Sequence, residues 1–207
     1  MERQSGFTMQ QKLLAAAFFI GPLLLLFSVG AFTLGIGLIP PGITSYIEGM
    51  FGAYALMLFI PIYLELAGRL SRTHKILGAV TTVTGLFGAA VGASLELMRV
   101  IEYALRQHGA GDTVWQSFYA APNWEFLLVA LLGPLFPLTS ILLGVGFFRA
   151  KTFPAWVAAA LICAGIFFPL AQVLEWDLGL KLFYPLAAVL WLAALSFVGR
   201  EYTRSLA

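Results

Sequence analysis

Six stretches of the chain are each long and apolar enough to cross a lipid bilayer, and no other feature restricts its fold as strongly. A spanning helix needs about 20 mostly apolar residues at a rise of about 1.5 Å each. Segments at about 13–38, 45–67, 76–106, 124–148, 154–174 and 178–198 meet that length. Of the 207 residues, 60% are hydrophobic and 11% charged, against about 45–50% and about 25% in a soluble domain. The predicted fold class is therefore all-α: a polytopic membrane protein with a bundle of six transmembrane helices. Residues 1–207 form a single transmembrane domain, with no room for a separate soluble one. The apolar run after the charged N-terminus continues to about Ile39, far longer than a signal-peptide core, so it reads as a retained first helix. "IPPG" at 39–42 separates the first helix from the second, because paired prolines cannot continue a helix.

Lysine and arginine set the expected orientation. Arg3, Lys12, Arg69, Arg72, Lys75, Arg149, Lys151, Arg200 and Arg204 fall on the side that carries both termini, leaving Arg99, Arg106 and Lys181 on the other. Both termini are thus expected in the cytoplasm. A net charge of +2 with no basic stripe offers nothing to nucleic acid.

The acids lie mainly on the opposite side. Glu96, Arg99, Glu102 and Arg106 share one face of the third segment by i, i+3 and i+4 spacing, which predicts a ladder of ion pairs at a solvated helix end. About twenty residues from Lys75 place Glu96 at the outer boundary of the bilayer rather than its midplane. Glu48, Glu125, Glu175 and Asp177 stand at the same end of other segments, so the alternative is an acidic vestibule with Arg99 as counter-ion. Elsewhere the polar groups at membrane depth are uncharged, Ser28, Thr84, Thr139 and Ser140 among them. The loop "HGAGDTVWQSFYAAPNW" (108–124) holds Trp115, Phe118, Tyr119 and Trp124, which suit an interface anchor, a lid over the vestibule or a partner contact.

In the third segment Gly88 and Gly92 form a Gly-x-x-x-Gly pair with Gly85 a turn earlier, a smooth face for close helix packing within the chain or against a partner helix. "GPLLLLFSVGAFTLGIG" (21–37) is similar to "GPLFPLTSILLGVG" (133–146), a pattern expected of two inverted three-helix halves.

Catalytic and metal chemistry find no residues to work with. His74 and His108 both lie in loops, so paired-histidine haem ligation across the bundle and a histidine-bound zinc site are not expected. No nucleophile stands near a base, and the lone Cys163 has no disulfide partner. The cofactor therefore stays unassigned, and a non-enzymatic protein is favoured.

The hairpin "LLGVGFFRAKTFPAWVAAALICAG" (142–165) resembles the hairpin between the fourth and fifth helices of small six-helix bacterial inner-membrane proteins of unknown function. The resemblance implies a bacterial inner-membrane protein and no particular activity. Two functions are expected. The first is an accessory subunit of a membrane complex, or a binder of a lipophilic ligand such as a lipid, quinone or pigment, with membrane lipids, other membrane subunits or a second copy as partners. The second is a small transporter that admits a cationic or amphipathic substrate through the acidic vestibule.

Overall fold

A computed structural model describes residues 8–39, 44–109, 113–114, 117, 123–173 and 177–204, with the side chains of 172, 173, 177 and 178 left out of the description. Helix α1 (Met9–Thr33) opens with a capping box: Thr8 Oγ1 accepts from the Gln11 amide, and the Gln11 side chain accepts from the Thr8 amide. Helix α1 ends about five residues before the expected boundary. Gly35 and Gly37, at φ +72° and +68°, turn the chain out of the helix ahead of the prolines, because such backbone angles cost glycine little. Leu38–Ile39 (β1) and Thr44–Ser45 (β2) then pair antiparallel, Leu38 opposite Ser45.

Ser45 ties this hairpin to the next helix, α2 (Tyr46–Ser71). Its hydroxyl accepts from the Glu48 amide at 3.2 Å and donates to the Ile36 carbonyl at 2.7 Å. Helix α3 (Lys75–Gln107) follows a three-residue turn. The fourth expected helix is interrupted: α4 (Trp124–Ala130) and α5 (Leu135–Ala150) flank a turn at 131–134. Pro134 removes an amide and disfavours helical backbone at Gly133 before it, although 124–150 as a whole keeps the length and apolarity of one span. Helices α6 (Ala155–Val173) and α7 (Asp177–Arg204) complete the chain.

The fold is all-helical apart from the two-residue strands, and among the described residues five of its helical stretches, not the expected six, have the length and apolarity of membrane spans; α6, the fifth expected segment, is shorter. That is compatible with an integral membrane protein. Each major helix packs on its sequence neighbours, α3 meets α5, and α7 closes back on α1, which makes a ring. Glycines set the closest approaches. An added Cβ at Gly88 would strike the backbone of Leu135 and Phe136, and Gly144 and Gly165 play the same part between α5 and α6. In lipid, where apolar surface gains little from leaving solvent, such close packing is a main source of helix association.

Aromatic side chains fill the centre of the ring. Phe136 on α5 lies 5.2 Å from Phe59 on α2 and 5.2 Å from Trp191 on α7, and Phe168 on α6 lies 5.3 Å from Trp191. Each such pair contributes about 0.5–1.5 kcal/mol beyond its buried area. The indole Nε1 of Trp191 donates to Ser140 Oγ at 2.8 Å, and Ser140 donates to the Leu161 carbonyl at 2.9 Å, so α5, α6 and α7 share one polar lock.

Candidate functional site: a buried ion cluster at one end of the ring

At the end of the ring that carries the 38–45 hairpin, charged side chains from α2 and α3 meet within the bundle. Glu48, in the first turn of α2, is held three ways. Its backbone amide caps onto Ser45, its carbonyl accepts from Ser28 Oγ at 2.8 Å, and its Oε1 accepts from the Tyr184 hydroxyl at 2.8 Å. Its side chain is 2% exposed.

Glu96 reaches the same place because α2 has no side chains beneath it. A Cβ at Gly52 would come within 2.9 Å of the Glu96 carboxyl carbon, and one at Gly49 within 2.9 Å of Arg99 Cβ. The pair Gly49-x-x-Gly52 is therefore a floor on which the charged stretch of α3 rests. Arg99 Nη1 lies 2.6 Å from Glu48 Oε2 and 3.0 Å from Glu96 Oε2. The approach is close but poorly directed: neither Oε2 receives a well-aligned hydrogen bond from the guanidinium. Arg99 keeps 24% of its side chain exposed, and the cluster reaches the outside of the bundle through it.

The solvated ladder expected on α3 is therefore not what forms. Glu96 is buried at 8% exposure, and Arg99 turns to Glu48 of the neighbouring helix. The ladder splits into Glu96–Arg99 and a separate Glu102–Arg106 pair at 3.0 Å, with Glu102 also buried. Burial explains the change. A carboxylate inside the bundle requires an opposite charge, and the carboxylate on α2 draws Arg99 across from its own helix. One turn beyond Arg99, Tyr103 stacks on Tyr46 at 4.0 Å and joins α3 to the start of α2.

Of the residues expected to form a vestibule, Glu48, Glu96 and Arg99 converge. Glu102 stays on its own helix with Arg106, and Glu125 stands exposed in the first turn of α4 with no ion pair to the cluster. Glu175 lies outside the described residues, and of Asp177 only the backbone is described. The expected lid residues Trp115, Phe118 and Tyr119 also lie outside the described residues, while Trp124 begins α4 and is 68% exposed. The glycine face of α3 is used inside the chain: Gly85 meets Tyr63 and Thr139, Gly88 meets the start of α5, and Gly92 meets Leu56.

Sequence reasoning missed Tyr184, Ser28, Gly49 and Gly52. The glycine pair was available as a signal, since small residues a turn apart beside Glu48 mark a close crossing. For Tyr184 there was none, because it meets Glu48 across 136 positions.

Chemically the cluster is an acceptor-rich site. Ionised, it holds two carboxylates against one guanidinium, with a phenol hydroxyl already committed to Glu48. Among the described residues no three His, Cys, Asp or Glu side chains come together as a metal-ligand group. Comparison of the chain with protein-family models, with curated proteins and with solved structures finds no match.

Proposed function

We propose that this is a small membrane transporter that takes up a cationic or amphipathic substrate at the Glu48–Glu96–Arg99 cluster. The observation that carries the reading is the imbalance of that cluster: two buried carboxylates on different helices face one guanidinium, which alone of the three is substantially exposed. Ionisable groups inside a membrane bundle are costly and usually mark substrate or ion pathways. The rest of the interior supports the same assignment, since aromatic side chains occupy the centre of the ring where an internal lipophilic ligand would lie.

The test is uptake of an organic monocation, radiolabelled methylguanidinium, by proteoliposomes. Wild-type protein is expected to accumulate it, and folded Glu96→Gln protein to fall to the level of empty vesicles. Wild-type vesicles that take up no more than empty ones, or full uptake by the folded variant, would overturn the reading.

One observation favours a second reading, a non-enzymatic accessory subunit or binder of a lipid, quinone or pigment. Helix α4 and the turn after it turn Trp124, Leu128, Val129 and Leu131 outward, each more than half exposed, a surface suited to lipid or a partner helix. Native mass spectrometry of protein taken gently from its own membrane would show a retained lipid, pigment or second polypeptide. We propose a bacterial inner membrane for either reading, on the resemblance of the 142–165 hairpin. The bias of lysine and arginine towards the end that carries the termini supports cytoplasmic N- and C-termini.

A further inference from the structure

We infer that Arg99 is a tethered stand-in for the substrate, and that the site it occupies takes the head group of a free cation bearing N–H donors, a guanidinium or a primary ammonium. The inference rests on the reading of the cluster as the working site and names the chemistry that the site selects.

The two carboxylates are held within the bundle, whereas Arg99 is the one member of the cluster whose side chain is substantially exposed, although its Nη1 is enclosed. Glu48 is held by Tyr184 through its carboxylate and by Ser28 and Ser45 through its backbone. Glu96 is pressed onto Gly52, and its backbone carbonyl lies over Gly49, so its helix has no freedom to lift without opening the α2–α3 crossing. Arg99 reaches the site on a long side chain with several rotatable bonds, and its 24% exposure gives it a way out. When it leaves, the two Oε2 atoms that had shared a single nitrogen remain in place, and the space between them holds one cationic head group.

The second observation is the quality of the contact. Glu48 Oε2 and Glu96 Oε2 are fully enclosed, yet neither receives a directed hydrogen bond from the Arg99 nitrogen that touches both. Arg99 pairs with both carboxylates at 2.6 and 3.0 Å, but its nitrogen is not aimed squarely at either oxygen. A free cation is not bound by the geometry of the α3 backbone and can aim one N–H at each oxygen, which makes charge-assisted bonds about twice as strong as neutral ones. A quaternary ammonium has the charge but no N–H, and the site gives it no advantage over a screening ion.

The test is chemical rescue, read as melting temperature in detergent. Arg99→Ala leaves two enclosed carboxylates without their counter-ion and is expected to melt well below the wild type. Millimolar methylguanidinium is expected to restore part of the loss saturably, as a ligand that binds only the folded state does. Tetramethylammonium at the same ionic strength is expected to restore none of it, and Arg99→Ala combined with Glu96→Gln is expected to lose the response. Equal effects of the two salts, or no effect of either, would overturn the inference. Should Arg99→Ala not fold, the same comparison is made on Arg99→Lys, whose shorter side chain and compact charge reach the two carboxylates less fully, and the same outcomes decide. Rescue without methylguanidinium uptake removes the transport reading and leaves the site. Uptake without rescue removes this inference alone.

Discussion

Tyr184 is the residue on which the ion cluster and the aromatic core depend together. Its hydroxyl donates to Glu48 at 2.8 Å, while its ring lies 5.3 Å from Phe168 and 6.2 Å from Phe32. Tyr184→Phe keeps the packing and removes only the donor. A hydrogen bond to a charged group contributes about 1.5–3 kcal/mol, so the variant is expected to unfold at lower temperature by a corresponding amount. A melting temperature equal to wild type would show that Glu48 draws nothing from Tyr184. At this scale the sequence was half legible. Helical spacing put Glu96 and Arg99 on one face, and the matching ends of neighbouring segments brought Glu48 near them. Spacing could not show that Arg99 would abandon Glu102 for Glu48, because that choice depends on the rotation of α2 against α3. Tyr184 was invisible for the same reason, since α7 offers no polar stripe that would mark the side it turns inward.

Between elements, the glycines divide into those that meet backbone and those that meet open space. A Cβ at Gly88 would strike the Leu135–Phe136 backbone, which cannot yield without moving α5. By contrast, nothing stands within 4 Å of a Cβ at Gly30 or Gly68. Alanine in a helix is favoured over glycine by about 1 kcal/mol, and overpacking a tight site costs about 1–3 kcal/mol or more. Gly30→Ala and Gly68→Ala are therefore expected to leave thermal stability unchanged or raised, and Gly88→Ala to lower it, in one melting series. Lowered stability in all three would show that helix propensity and close approach are not what separates these positions. The glycine face of α3 was legible from Gly85, Gly88 and Gly92, although its partners, α2 and α5, were not. The start of α5 was misjudged because apolar length measures how much helix a bilayer accepts. It is silent on the break that Pro134 makes after Gly133.

For the whole molecule, a bundle of apolar helices joined mostly by short turns followed from length and composition, although among the described residues five helical stretches rather than six have the length of spans. The closure of α7 onto α1 did not follow from either. Helices apolar on nearly every side carry no stripe to show which neighbour they prefer, and shape complementarity at sites such as Gly199 against Phe18 decides it. The ring has two unlike ends. One holds the enclosed acids, and at the other Arg69 pairs with Glu65 at 2.8 Å and lies over the Tyr202 ring at 5.1 Å. If the basic end faces the cytoplasm, a membrane-impermeant maleimide applied to intact cells labels Trp124→Cys and spares Thr73→Cys until the cells are opened, both in a Cys163→Ala background. The reverse pattern would invert the orientation.

The floor under Glu96 also restricts how this protein can change over generations. Any side chain at position 52 pushes on the carboxylate above it, so a lineage that acquires alanine there gains most by shortening position 96 to aspartate at nearly the same time. The two sites are expected to drift as a pair, and the charge at 96 is expected to outlast its length. Lineages that lose the acid altogether are then free to fill the glycine position with larger residues.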